Sequence, residues 1–152
     1  VARQIVLRQL TMGPRTRAQL EEALARRKVP EDAAKSVLDR FSEVGLVDDG
    51  AYAEAFLRSA QSNGTLSRRG IAERLRGRGV GREIIAEAVA RIDPDEESEA
   101  ALDLARRRAP RLAGLDAAAQ QRRLAGLLTR RGFPPDVVRR VVGQVLGESA
   151  DA

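Results

Sequence analysis

The feature that most restricts the fold is an internal repeat. Arg27, Arg78 and Arg131 recur at spacings of 51 and 53 residues, and each sits in the same apolar frame. Around Arg27 that frame is Leu20, Leu24, Val29, Ala33, Ala34, Val37 and Leu38. Around Arg78 it is Ile71, Leu75, Val80, Ile84, Ile85, Ala88 and Val89, and around Arg131 it is Leu124, Leu128, Phe133, Val137, Val138, Val141 and Val142. Every apolar position stays apolar and the arginine never changes. Self-similarity at a fixed period of this size marks tandem supersecondary units, each unable to bury its apolar face alone.

Inside a unit the period is helical. Pairs four apart (Leu20 and Leu24, Ile71 and Leu75, Leu124 and Leu128) mark one helix, and doubled pairs such as Ala33-Ala34 with Val37-Leu38 give the next a wide apolar stripe. Between them lie Lys28-Val29-Pro30, Gly79-Val80-Gly81 and Gly132-Phe133-Pro134, which punctuate as a helix stop followed by a helix start. A further helix precedes each pair. Val1, Ala2, Ile5 and Val6 match Tyr52, Ala53, Phe56 and Leu57, while Ala100, Ala101, Leu104 and Ala105 serve the last unit ahead of a longer loop from Pro110 to Leu115. No strand alternation is present. The expected fold is all-α, with three tandem three-helix, helix-turn-helix-like repeats at 1–47, 48–93 and 94–147, then a flexible polar tail at 148–152. A unit of about 50 residues supports only a marginal core, so neighbours are expected to share buried surface and form an elongated, curved rod.

Missing residue types exclude much chemistry. The chain has no Cys, no His and no Trp, which removes the usual zinc ligands, Cys- or Ser–His nucleophile systems and disulfides. Gly77, Gly79 and Gly81 alternate without the dinucleotide fingerprint or the Lys-Ser/Thr of a phosphate loop. The acidic run Asp93, Asp95, Glu96, Glu97 and Glu99 reads as an N-cap, a Pro94 first turn and carboxylates favoured at a helix N-terminus, rather than as a metal site. No catalytic residue, metal or cofactor is expected. No run approaches 18 apolar residues and no secretory leader opens the chain, so the expected setting is cytoplasmic with no membrane contact.

Charge is the remaining signal. The net charge is +5, and of 27 basic residues all but Lys28 and Lys35 are arginine, the side chain that forks onto phosphate and carboxylate. Sequence-specific DNA reading would need Arg, Asn, Gln or Lys on the outer face of each third helix. Those helices instead carry Glu31, Asp32, Asp39 and Glu43, then Glu83, Glu87 and Asp93, which phosphate would repel. Positive charge gathers on and beside the second helices. The first has Arg15, Arg17, Arg26, Arg27 and Lys28, and the second has Arg68, Arg69, Arg74, Arg76, Arg78 and Arg82. The third has Arg122, Arg123, Arg130 and Arg131, led into by Arg106, Arg107, Arg108 and Arg111. Arg27, Arg78 and Arg131 close helices, where a cation complements the dipole. The candidate partner- or DNA-binding residues are Arg68, Arg69, Arg74, Arg76, Arg78, Arg26, Arg27, Arg130 and Arg131. Phe41, Phe56 and Phe133 fall at packing positions, so nucleobase stacking is not expected.

The segment Gly45-Leu46-Val47-Asp48-Asp49, then Tyr52-Ala53 and Phe56, resembles the signature of the RecX family, bacterial regulators of the recombinase RecA. Arg68-Arg69, Ile71, Leu75 and Gly79-Val80 continue the likeness across the second unit, and the three-unit organisation extends it over nearly the whole chain. Ala60 departs from the pattern, where relatives carry an arginine. The resemblance implies a monomeric, non-catalytic modulator of tandem three-helix repeats. It would bind the RecA–DNA filament and restrain ATP hydrolysis, strand exchange and cleavage of the SOS repressor, hence homologous recombination, DNA repair and the SOS response. Non-specific single- or double-stranded DNA binding through the arginines stands as the alternative, and as an activity compatible with the first.

Overall fold

The computed structural model describes residues 1–64 and 67–151. Among these are nine α-helices and no strand. They are α1 (Ala2–Met12), α2 (Arg17–Arg26), α3 (Glu31–Glu43), α4 (Asp49–Asn63), α5 (Arg68–Gly77), α6 (Arg82–Ala90), α7 (Pro94–Arg108), α8 (Ala117–Arg130) and α9 (Pro135–Asp151), with a single 3₁₀ turn at Ala109–Leu112. The three-helix repeat read from the sequence is therefore the repeat of the fold.

Each second helix ends in the same way. The amides of Val29, Val80 and Phe133 return to the carbonyls of Leu24, Leu75 and Leu128 at 3.0, 3.1 and 3.2 Å. The residue before each has positive φ, at 60° for Lys28, 81° for Gly79 and 89° for Gly132. This is the left-handed stop that recovers the last helical carbonyls. Val80 and Phe133 are buried beside it, so the turn is anchored as well as hydrogen-bonded. Pro30 occupies the N-cap of α3, one residue earlier than a first-turn proline, whereas Pro135 opens α9.

Helix starts are fixed by short polar side chains. Thr16 and Gln19 form a reciprocal capping box on α2, and Asp116 accepts from the Ala119 amide on α8. Asp93 accepts from the Asp95 amide with Pro94 in the first turn of α7, as the acidic run predicted. Asp48 Oδ1 accepts from the Ala51 amide at the start of α4, and Ser67 Oγ accepts from the Gly70 amide at the start of α5.

The chain clusters into two compact units, Val1–Phe56 with Arg74–Ala88, and Leu57–Glu73 with Val89–Ala152. In the first, Val6, Leu20, Leu24, Leu38, Phe41 and Val47 form the core joining α1, α2 and α3. In the second, Ala101, Leu104, Leu124, Leu128, Phe133 and the valines of α9 form the core joining α7, α8 and α9. α9 stays helical to Asp151 through the stretch assigned above to a polar tail, and its Glu148 pairs with Arg106 at 2.7 Å. Ala152, the last residue of that tail, lies outside the described residues.

Each unit contains one joint between successive repeats, and the two joints share one design. In the first unit the Thr16 hydroxyl, fully buried, donates to the Arg78 carbonyl at 2.6 Å. In the second the buried Ser67 hydroxyl donates to the Arg131 carbonyl at 3.1 Å. The turn glycine then sits on the neighbouring helix start. A Cβ on Gly79 would lie 2.2 Å from the Ala18 methyl, and one on Gly132 would lie 2.7 Å from the Gly70 amide nitrogen. The left-handed residue is thus glycine for two reasons at once, its backbone angle and the absence of room.

Candidate functional site

The arginines of α5 are neighbours in sequence but differ in what they touch. Arg68 Nε donates to Glu97 Oε2 at 2.7 Å, and that carboxylate is only 4% exposed. This pair holds α7 against the start of α5 within the second unit. Arg69 is 76% exposed, with a one-turn contact to Glu73 at 3.3 Å, a surface pairing of small energetic weight. Arg74 and Arg76 are exposed, and their side chains have no hydrogen-bond or ion-pair partner among the described residues.

Arg78 is engaged three ways. Its guanidinium lies 4.7 Å from the centroid of the Phe56 ring and 6.0 Å from that of Tyr52, and its Nη1 donates to the Tyr52 hydroxyl at 2.7 Å. Its carbonyl takes the Thr16 hydroxyl. A cation over an aromatic face gains most when partly desolvated, so Arg78 secures the first joint. Of the five candidates on and just after α5, Arg69, Arg74 and Arg76 face solvent, while Arg68 and Arg78 are committed to the fold. Arg26, Arg27 and Arg130 are exposed and Arg131 is half-buried, its carbonyl also receiving the Ser67 amide at 3.4 Å.

The signature residues sort in the same manner. Gly45 takes φ 81° at the stop of α3, and Val47 and Ala53 are buried. Asp48 caps α4, whereas Asp49 Oδ1 accepts from the Arg17 amide at 2.9 Å and so ties the start of α4 to the start of α2. Tyr52 and Phe56 hold Arg78. Leu46 differs, being 53% exposed beside Val44 at 58%. Asp49, Tyr52 and Phe56 of the signature therefore serve the first joint, while Gly45, Val47 and Asp48 shape the end of α3 and the start of α4.

Sequence reasoning passed over the groups that make the joints. Thr16 and Ser67 stand 51 residues apart, each just ahead of a second helix, and that periodic hydroxyl was the available signal. It counted Arg17 among the basic residues of the first repeat but not its partners: the guanidinium bonds Asp39 at 2.7 Å and Glu21 at 3.2 Å. The Asp39 bond raises the Arg17 pKa above its ordinary value against partial burial. Asp39 is held below the usual carboxylate range by hydrogen bonds from Lys35 first and Arg17 second. Arg106 and Glu148 shift likewise, the arginine up and the carboxylate down, each through its hydrogen bonds to the other.

Two depressions carry notable chemistry. One, of about 430 Å³, is lined by Arg15, Gln19, Tyr52, Phe56 and Arg78 in the first unit. The other, of about 330 Å³, is lined by Arg108, Leu112, Arg122, Arg123 and Arg130 in the second. Among the described residues no three His, Cys, Asp or Glu side chains gather to hold a metal, and no helix is long and apolar enough to cross a membrane.

Fold and surface together define a tandem-repeat, all-helical protein whose accessible chemistry is arginine. Family comparison assigns it further. The first, second and third three-helix domains of RecX match residues 2–41, 48–89 and 95–142. The chain belongs to the RecX family. It is 47% identical over 150 residues to the regulatory protein RecX of Streptomyces coelicolor, covering 99% of this chain and 80% of that one. It is 44% identical over 145 residues to that of Thermobifida fusca, covering 95% and 78%. The crystal structure of RecX from Lactobacillus salivarius superposes with a TM-score of 0.81 at 21% identity, over 95% of this chain and 94% of that one. A second crystal structure, of a regulatory protein RecX, superposes with a TM-score of 0.84 at 24% identity, over 92% of this chain and 70% of that one.

Proposed function

We propose that this chain is a non-catalytic, monomeric, cytoplasmic modulator of RecA that binds the RecA–DNA filament and lowers its ATP hydrolysis, strand exchange and SOS co-protease activity. Homologous recombination and DNA repair would be the processes restrained. The observation that carries the reading is the spread of unpaired, exposed arginines over all three repeats: Arg26 and Arg27, Arg74 and Arg76, and Arg130. Contacts that are weak singly become strong when linked, because after the first the rest form at high effective concentration. The sequence-defined repeats 1–47, 48–93 and 94–147 would each supply one such contact.

ATP hydrolysis by RecA on single-stranded DNA tests the reading. The full chain, titrated from substoichiometric to equimolar, is expected to suppress hydrolysis even with naked DNA in large excess. Suppression abolished by the extra DNA would leave plain DNA binding in its place. Arg74→Gln with Arg76→Gln is expected to weaken the suppression and flatten its salt dependence, and unchanged behaviour would remove α5 from the contact.

A further inference from the structure

The groove between the second and third helices of a repeat is lined with opposite chemistry in the first and third repeats. In the first it runs between α2 and α3, holds about 620 Å³, and carries Glu21, Glu22, Glu31 and Asp32. Its cations are satisfied within the chain. Asp39 accepts from Lys35 at 2.6 Å and from Arg17 at 2.7 Å, and Glu21 accepts from Arg17 at 3.2 Å. In the third repeat the groove runs between α8 and α9 and holds about 280 Å³. There the repeat register puts Ala125 in the place of Glu21, Pro135 in that of Glu31 and Gly143 in that of Asp39, while Arg139 keeps the place of Lys35. The carboxylates that close the first groove are gone, and the cation stays.

What replaces them is apolar. Ala125, Phe133, Val138 and Val142 line the groove, and no carboxylate does. Arg139 is exposed, and its side chain has no hydrogen-bond or ion-pair partner among the described residues. The second joint adds another cation. With Gly132 seated against the Gly70 amide, Arg69 of α5 reaches the same groove, held only by its surface contact to Glu73. Open charge is common on this surface, at Arg26, Arg27, Arg74 and Arg76 among others. Here it borders side chains of the apolar core.

We propose that this groove docks an acidic–aliphatic segment of a partner protein. One bulky aliphatic side chain enters among Phe133, Val138 and Val142, and flanking carboxylates meet Arg69 and Arg139. The volume falls below the roughly 300–1,000 Å³ of clefts that enclose a small ligand whole, so it suits one side chain presented by a larger partner. An apolar anchor in a pocket concentrates the binding energy of protein interfaces, and charge at its edge selects the sign of the partner. A phosphate strand brings nothing to bury against these side chains. This chain displays an acidic–aliphatic segment of its own, from Glu43 to Asp48 with Val44 and Leu46 exposed. A second copy seated through that segment conflicts with the monomer proposed above, and the experiment separates the two occupants. The inference stands apart from the RecA reading, because it is tested with neither RecA nor DNA present.

Fluorescence anisotropy of a labelled peptide of alternating aspartate and leucine, titrated with the full chain, is the test. Arg69→Gln with Arg139→Gln is expected to weaken binding about tenfold or more through lost charge-assisted contacts. Arg74→Gln with Arg76→Gln removes equal charge elsewhere and is expected to leave affinity within about twofold. Gly143→Asp sets a carboxylate one turn beyond Arg139, as Asp39 stands to Lys35, and is expected to weaken binding about threefold. Nothing lies within 4 Å of a Cβ at that position and glycine is the poorer helix former, so the urea midpoint of this variant should hold or rise. That separates its effect from unfolding. A lysine–leucine peptide should not bind, and an aspartate–alanine peptide should bind at least about tenfold more weakly. Equal binding of either control peptide, equal losses from the two arginine pairs, or no binding of the aspartate–leucine peptide overturns the proposal. So does displacement by oligo-dT together with an equal loss of strand affinity in the Arg69→Gln, Arg139→Gln variant, which makes the groove a strand surface. An oligomer of the chain alone, dispersed by Arg139→Gln in sedimentation, makes a second copy the occupant and also overturns it. RecA suppression by the same variants is read separately. Peptide binding without suppression sinks the RecA reading alone, and suppression without peptide binding sinks this one alone.

Discussion

Gly79→Ala puts the joint between the first two repeats under direct test. Gly79 and Gly45 both have φ 81°, so alanine at either meets the same left-handed strain, about 1–2 kcal/mol. Their surroundings differ. A Cβ at Gly45 meets nothing within 4 Å, whereas one at Gly79 falls 2.2 Å from the Ala18 methyl. Reaching ordinary contact requires the α5 turn and the first turn of α2 to part by roughly an ångström. That movement breaks the 2.6 Å bond from Thr16 to the Arg78 carbonyl and leaves a buried hydroxyl and carbonyl underserved, about 1–3 kcal/mol more. Gly79→Ala is therefore expected to destabilise by about 2–5 kcal/mol and Gly45→Ala by about 1–2 kcal/mol, a large difference for a domain of ordinary stability. Urea unfolding followed by far-UV circular dichroism measures both. Adding Ala18→Gly removes the opposing methyl and should restore part of the loss, although glycine alone at that position weakens α2. Equal losses at positions 45 and 79, or no rescue by Ala18→Gly, would refute the account of the joint.

Three further outcomes follow from individual contacts. Arg68→Ala strands the buried Glu97 carboxylate and should cost about 2–3 kcal/mol, less than a fully buried pair because Arg68 is 42% exposed; Arg69→Ala should change stability by under about 0.5 kcal/mol in the same urea titration. Ser67→Ala removes both the α5 cap and the second joint bond and should cost about 2 kcal/mol, against near-neutral replacement by Thr. Asp39 and Glu148 have pKa values below their ordinary 3.8 and 4.5, so the stability they add is full above those values and lost as pH falls through the depressed ones. Asp39→Asn with Glu148→Gln should therefore lower stability at neutral pH and shrink the fall in thermal midpoint between about pH 5 and pH 2; an unaltered acid limb would show that the pairs do not hold in solution.

How much was legible in the sequence depended on the range of the interaction. Helices, caps and the left-handed stops are set within five or six residues, so apolar spacing and the Gly, Asp and Pro positions exposed them. The role of each arginine is set by residues far along the chain. Arg68 and Arg69 are adjacent, yet one meets Glu97, 29 positions away, and the other only Glu73, four away. Nothing local separates them. Arg78 was readable as a helix-closing cation, but its engagement by Tyr52 depends on tertiary placement 26 positions off. The α8 depression was hidden similarly: its arginines were visible as a group, while the withdrawal of Arg106 by Glu148, 42 positions later, was not.

The first and third repeats each depart from the shared pattern at one place. At both joints the left-handed turn residue is glycine because a neighbouring helix start lies against it. Lys28 holds the same place in the first repeat, with φ 60°, and no earlier repeat of the described chain presses on it, so a side chain is tolerated there at the cost of backbone strain alone. The third repeat is changed in a complementary way. The position matching Thr16 and Ser67 is Gln120, but α8 is 14 residues long against 10 for α2 and α5, and its start has moved back to the Asp116 cap. An additional helical turn thus covers the spot where a further joint would form. A repeat surface with no neighbouring repeat against it must be stable in water, and the long cation of Lys28 and the lengthened, separately capped start of α8 are each compatible with that. The same departure frees the start of α8 from joint duty, while its end still takes the Ser67 hydroxyl at the Arg131 carbonyl, and its arginine-bearing face lies open beside the end of α7.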